Sequence, residues 1–161
     1  MPLDDLYREV ILDHFKSPRH PGKIDGADLE IEGANPLCGD ELTLTVRLSP
    51  DERIAEARIQ AHGCSISQAS ASMMTEALTG KTLADAAQIT GAFKRMMLAD
   101  GTAADLPEAA EDLAALEGVK QYPVRIKCAL LAWNTWLEGL TLYQAQRKTA
   151  HHKVVANHKE T

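Results

Sequence analysis

Two neighbouring stretches of alternating residues constrain the fold of this 161-residue chain more than any other feature. Residues 42–48 alternate strictly between Leu or Val and Thr or Arg. Residues 55–61 alternate between Ala or Ile and charged or polar residues. Residues 49–51 between them, Ser-Pro-Asp, have the composition of a tight turn. The pattern predicts an antiparallel β-hairpin with one face in a hydrophobic core.

Helical periodicity dominates the chain outside this hairpin, apart from one further strand. We therefore predict an α+β fold in which a small antiparallel three-stranded sheet packs against helices. The predicted elements are helices over residues 3–14, 66–78 and 124–136, a short helix opened by Thr82 and Asp85, a strand at Leu29 and Ile31, and a loop over residues 100–110.

Composition and charge limit the class of protein. The longest uninterrupted apolar run, residues 128–133, is six residues long, whereas a membrane-spanning helix needs about 20. The formal charge of −6 argues against binding to a phosphate backbone, and the N-terminus lacks the pattern of a secretory signal. We expect a cytoplasmic protein with no nucleic-acid or membrane partner, one domain over residues 1–142, and a polar, flexible tail over residues 143–161.

The hairpin also predicts which cysteines meet. Cys38 and Cys64 lie thirteen residues on either side of Asp51 in the predicted turn, so they should be neighbours at the open end of the hairpin. Asp40 follows Cys38 by two positions and shares its side of an extended chain. Cys64 directly precedes a predicted helix, whose N-terminus favours a thiolate.

Cys128, in the predicted last helix, could complete a set of four ligands. Zinc accepts thiolate and carboxylate ligands, and iron–sulfur clusters accept thiolates. Each cysteine also fits a structural role, Cys128 as a small buried apolar residue above all. No Cys-x-x-Cys pair occurs, so spacing alone leaves both interpretations open.

Four motifs occur in an order that is specific to one family. They are Leu-Tyr-Arg-Glu-Val-Ile-Leu-Asp-His-Phe at 6–15 followed by Ser-Pro-Arg at 17–19, Asn-Pro-Leu-Cys-Gly-Asp at 35–40, Gly-Cys-Ser-Ile-Ser-Gln-Ala-Ser-Ala-Ser at 63–72, and Arg-Ile-Lys-Cys-Ala at 125–129. With them the chain resembles the iron–sulfur cluster assembly scaffold family, the NifU N-terminal or IscU-like proteins. The resemblance implies their SufE/NifU-like fold.

Two departures are similar to the SufU branch of that family. Lys127 stands where the scaffolds proper carry a His, and an insertion over residues 92–116 separates Cys64 from Cys128 by 64 positions. The chaperone-recognition motif Leu-Pro-Pro-Val-Lys of the scaffold branch is also replaced, by Gln-Tyr-Pro-Val-Arg at residues 121–125. These three features favour a role in sulfur delivery rather than in cluster assembly.

The resemblance implies a ligand set, a reaction and partners. It implies Zn²⁺ bound by Cys38, Asp40, Cys64 and Cys128, with Cys38 as the sulfur acceptor that a partner His displaces from the metal. It implies a SufS-like, pyridoxal-phosphate-dependent cysteine desulfurase as sulfur donor, and downstream iron–sulfur assembly components as recipients. We thus predict a zinc-dependent, sulfurtransferase-like protein. The alternatives are a scaffold that assembles and transfers an iron–sulfur cluster, and an adaptor in which zinc only holds loops together.

The same resemblance places two basic residues beside the ligand set. Arg125 and Lys127 shortly precede Cys128, flank the predicted site and could steer anionic sulfur species or a partner carboxylate. Solvated charges on a helix surface explain them equally well.

Overall fold

The fold consists of one β-sheet and several helices. A computed structural model describes residues 3–36, 39–146 and 154–159. Its elements, in chain order, are α1 (Leu3–Lys16), β1 (Leu29–Asn35), β2 (Asp40–Leu48), β3 (Ile54–His62), α2 (Ser65–Leu78), α3 (Leu83–Leu98), a 3₁₀ turn (Ala103–Asp105), a longer 3₁₀ segment (Glu108–Gln121), α4 (Pro123–Gln146) and β4 (Val154–Lys159).

The predicted hairpin is the centre of the sheet. Strands β2 and β3 pair antiparallel from Glu41 opposite His62 to Leu48 opposite Ile54, and β1 pairs antiparallel with the other edge of β2. Leu44, in the middle, faces Ile31 on one side and Ile59 on the other. All three side chains are buried, as the alternation predicts. The predicted α+β class and its three antiparallel strands are confirmed.

A fourth strand extends this sheet and lies within the region that the sequence assigns to the tail. Residues 154–159 pair in parallel with β1, so that the strand order is β3-β2-β1-β4, and α4 continues to Gln146. Alternation does not reveal this strand, because residues 154–159 are three apolar residues followed by three polar ones, whereas strand pairing needs only backbone N–H and C=O groups. The division into a domain over 1–142 and a flexible tail over 143–161 stays a prediction.

The region between the second and last cysteines contains more helix than the sequence predicts. The short helix predicted at Thr82 runs for 16 residues as α3, and Thr82 Oγ1 accepts the Asp85 N–H at 3.0 Å. The loop predicted over 100–110 contains 3₁₀ turns instead, and the longer segment continues to Gln121. Local bonds between residues three apart supply this order, such as Ala110 N–H to Pro107 O at 2.9 Å.

Close packing of α4 against β1 positions the last helix. A Cβ atom on Gly139 would lie 2.6 Å from Ile31 Cγ1, and a Cβ atom on Gly33 would overlap Thr135. The later residue of β1, Gly33, thus meets the earlier residue of α4, Thr135, so the helix and the strand run antiparallel to each other. Two residues of strand advance about as far as four residues of helix. Continued along this course, α4 brings Cys128 past the end of β1, to the edge of the sheet where β2 begins.

Among the helices that the structure describes, none combines the length and the apolar character needed to cross a bilayer.

Candidate metal centre

Asp40 is the buried carboxylate of the site. It opens β2 opposite Asn35, and its side chain has no exposed surface. The backbone N–H of Cys64 donates to Asp40 Oδ1 at 2.8 Å. Gly63 makes this approach possible, because its φ of +135° is one that L side chains rarely adopt and a Cβ atom there would lie 2.8 Å from Asp40 Cα. One carboxylate oxygen is thus held by the backbone, and Oδ2 faces the Cys64 thiol at 3.9 Å.

Cys64 lies at the junction of β3 and α2, as predicted. It is the N-cap residue of α2, and its Sγ accepts the Ser67 N–H at 3.4 Å. The Gln68 amide donates to the Gly63 carbonyl at 2.9 Å and supports the same turn. Because free N–H groups of a helix N-terminus attract negative charge, this environment suits a thiolate.

Cys128 completes the group from the second turn of α4. It is fully buried, and its thiol lies 3.8 Å from the Val124 carbonyl oxygen. One ligand atom each from Asp40, Cys64 and Cys128 lies within 4.8 Å of the other two. Three atoms that close share a point about 2.8 Å from each, against bonds of about 2.3 Å for Zn–S and 2.0–2.2 Å for Zn–O. A small inward shift of the side chains fits them to a zinc ion.

Cys38, the fourth predicted ligand and the predicted sulfur acceptor, lies outside the described residues. Its neighbours in sequence are at the site: Asn35 and Asp40, which are paired across β1 and β2, are both buried. The segment that carries Cys38 therefore starts and ends at the metal-ligand end of the sheet.

Arg125 places a positive charge beside the two thiols. The pKa of its exposed guanidinium is raised above its ordinary value, first by the negative charge of the Cys64 thiolate and then by a hydrogen bond with Cys128. Arg125 is thus both exposed and attracted to the charge of the site, and steering of anionic sulfur species by Arg125 stays a prediction.

A second group of possible ligands combines His14, Glu76 and Asp112, but it already has partners within the protein. The buried His14 ring contacts Ser72 Oγ at 2.8 Å through Nδ1 and Asp112 Oδ2 at 3.3 Å through Nε2. Arg19 Nε lies 3.7 Å from Glu76 Oε2. These contacts tie the 3₁₀ segment to α1 and α2. Sequence reasoning missed them, since no pattern links residues 98 positions apart.

Exposed apolar side chains border the thiol site. Tyr122 and Val124 are 58% and 61% exposed, and Val124 lies one turn before Cys128. Beside them a groove of about 780 Å³ runs between α1, the start of α2 at Ser65 and the end of the 3₁₀ segment. Periodicity did not reveal this surface: it counts Val124 among the apolar positions of the last helix, but Val124 lies in the first turn of α4 and is exposed, and Tyr122 precedes that helix.

Comparisons with known proteins identify the family. The family model of the NifU-like N-terminal domain matches residues 6–150. The chain is similar to the zinc-dependent sulfurtransferase SufU of Bacillus subtilis strain 168, with 42% identity over 138 residues, 86% of this chain and 91% of that protein. It is also similar to the iron–sulfur cluster assembly scaffold protein IscU of Streptococcus pyogenes, with 38% identity over 138 residues, 86% of this chain and 84% of that protein.

Solved structures show the same relationship. A protein of Fervidobacterium islandicum, proposed as the iron–sulfur cluster assembly scaffold of the SUF system, superposes with a TM-score of 0.73 and 36% identity. The match covers 86% of this chain and 99% of that one. The motifs, the fold, the Asp-Cys-Cys group and these similarities lead to one conclusion: the chain belongs to the NifU-like N-terminal domain family.

Proposed function

We propose that this protein is a zinc-dependent sulfur acceptor that receives persulfide sulfur from a SufS-like cysteine desulfurase and passes it to downstream components of iron–sulfur cluster assembly. One observation carries the proposal. The Asp40 carboxylate and the thiols of Cys64 and Cys128 converge within 4.8 Å, in a chain 42% identical to a zinc-dependent sulfurtransferase. We further propose a cytoplasmic location, since free thiols persist under reducing conditions.

The donor set supports zinc as the resident metal. Zinc binds thiolate and carboxylate together in four-coordinate sites, and Cys38 would supply the fourth ligand. A buried carboxylate facing two thiolates is costly unless a cation joins them, because like charges repel strongly away from water. When bound, the metal ion supplies the positive charge that keeps the thiols deprotonated.

The proposed reaction is a thiol exchange at Cys38. The Cys38 thiolate attacks the outer sulfur of the desulfurase persulfide, a bond between the two sulfurs forms, and the S–S bond of the donor breaks. The donor cysteine leaves as a thiolate, and Cys38 carries the persulfide. No external oxidant or reductant is needed. Arg125, beside Cys64 and Cys128, would attract the anionic donor.

We also propose that the desulfurase covers the rim formed by Tyr122 and Val124. These side chains are exposed although they are large and apolar, and Val124 is within one helical turn of Cys128. A protein that brings a persulfide to this site has to lie against them, and burial of such a rim favours association. Val124→Glu should raise the concentration needed for half-maximal stimulation of the desulfurase about tenfold or more, whereas its zinc content should stay that of the wild type.

The reaction is tested by desulfurase turnover. Purified without oxygen and without chelators, the protein should contain about one zinc per chain and no acid-labile sulfide, and it should increase the turnover of a SufS-like desulfurase. Cys38→Ala should abolish the increase. Asp112→Asn, at the second group of possible ligands, is the matched control and should leave it intact. Full stimulation by Cys38→Ala would exclude Cys38 as the acceptor.

A scaffold function is the second candidate, supported by the 38% identity to the IscU scaffold of Streptococcus pyogenes. It predicts iron with matching sulfide after anaerobic reconstitution, and transfer of that cluster to an apo-ferredoxin. The same metal analysis therefore separates the two functions.

A further inference from the structure

A single buried hydroxyl connects the two helices that carry the thiols. Ser70, on α2, has no exposed surface. Its Oγ donates to the Ala129 carbonyl oxygen of α4 at 2.6 Å and accepts the indole N–H of Trp133, also on α4, at 3.1 Å. Trp133 is itself fully buried and stacks on Phe93, with 4.7 Å between ring centroids. The serine hydroxyl thus makes two directional contacts to one neighbouring helix.

This connection lies close to both thiols in sequence and in space. Ser70 is six residues after Cys64 on α2, and its acceptor Ala129 directly follows Cys128 on α4. Because hydrogen bonds impose distance and direction, the hydroxyl fixes how α2 and α4 sit against each other at this level.

We infer that Ser70 is a positioning residue of the metal centre: through Ala129 and Trp133 it sets the separation of the Cys64 and Cys128 thiols. The inference rests on the proposed function, which makes these thiols metal ligands. Groups that orient metal ligands without touching the metal contribute about 10- to 100-fold to metal affinity. Ser70→Ala should therefore weaken zinc binding by about that factor.

The chain provides a matched control on the same helix. Ser72 is also fully buried, and its hydroxyl contacts His14 Nδ1 at 2.8 Å and the Arg19 N–H at 2.8 Å, both outside α4. Ser72→Ala removes the same atom from the same helix and also leaves buried partners unsatisfied. Ser72→Ala should lower the melting temperature as Ser70→Ala does, but it leaves the hydrogen bonds of Ser70 to Ala129 and Trp133 in place.

The experiment measures zinc affinity by competition with a chromophoric chelator, together with the absorption spectrum of the Co²⁺-substituted protein. Ser70→Ala should bind zinc about 10- to 100-fold more weakly than Ser72→Ala and show altered Co²⁺ bands. Trp133→Phe, which removes only the second bond of the connection, should weaken zinc binding by less than tenfold and remains informative if Ser70→Ala does not fold.

The outcomes separate the two proposals. Equal zinc affinity of Ser70→Ala and Ser72→Ala would overturn the positioning role while leaving the zinc function standing. If Ser70→Ala cannot be purified, Trp133→Phe takes its place. A zinc affinity of Trp133→Phe equal to that of Ser72→Ala would then overturn the positioning role in the same way. A wild-type protein that binds no zinc would overturn the proposed function and this inference together.

Discussion

Among the residues that the structure describes, two groups of three possible ligands occur, and they differ in what already neutralises them. In the first, Asp40, Cys64 and Cys128 all become negative on deprotonation. Their ligand atoms lie close together, and the Asp40 carboxylate among them is fully buried. In the second, the His14 ring already contacts Asp112 and Ser72, and the two carboxylates are about half exposed. A cation would relieve repulsion in the first group and would only replace existing partners in the second. Ligand count alone therefore does not identify a metal centre.

Ligand removal tests this comparison with the largest expected effect. Cys128→Ala should abolish stoichiometric zinc binding and lower the melting temperature by about 10 °C or more, because binding of a structural metal adds directly to folding stability. Asp112→Ala should retain the metal. Metal analysis and thermal unfolding of the two variants provide the measurement, and zinc loss from Asp112→Ala alone would reverse the assignment of the two groups.

Gly63→Ala should have the next largest effect. The new methyl group would lie 2.8 Å from Asp40 Cα at a φ of +135°, so we expect a loss of about 2 kcal/mol or more in the free energy of unfolding and weaker zinc binding. Gly22→Ala is the control, since its φ is +111° but nothing lies within 4 Å of the added atom. Urea unfolding of both variants separates backbone strain from the clash with Asp40, and equal losses would remove the clash from the explanation.

The second group should respond in stability without a change in metal content. Asp112→Ala removes the contact between the 3₁₀ segment and His14, and we expect a loss of about 0.5–1.5 kcal/mol in the free energy of unfolding. Chemical denaturation with zinc in excess measures this loss. A change within error would mean that the apolar contacts of the segment hold it without His14.

The smallest effect concerns a surface pair near that second group. A hydrogen bond and the charge of the Arg19 guanidinium lower the pKa of Asp13 below 3.8. The pair therefore stabilises the fold above about pH 4, and this contribution is lost as the pH falls through the lowered pKa. Asp13→Asn should melt slightly below the wild type at pH 6, with the difference shrinking as the pH falls through the lowered pKa of Asp13. A constant difference across this range would show that charge is not its cause.

The sequence predicts one half of the candidate site far better than the other. Symmetry of the hairpin about its turn places the start of β2 beside the end of β3, and the pairing of Glu41 with His62 confirms it. That symmetry is local, so Asp40 and Cys64 can be brought together from spacing alone. Cys128 joins them through the packing of α4 on β1, which depends on two glycines 106 residues apart, Gly33 and Gly139. No periodicity encodes such a pair, and spacing alone left Cys128 open between a metal ligand and a small buried apolar residue.

That packing of α4 on β1 also determines how the centre should come apart. At Gly33 and Gly139 a side chain of the opposing element lies directly against the glycine backbone, so α4 and β1 are packed without a gap between them. The end of α4 that carries Cys128 and the strand that leads to Asp40 should therefore open together or not at all. In native-state hydrogen exchange, the amides of β1 and of the middle of α4 should share one opening free energy. Metal retention and global unfolding would then be a single cooperative event.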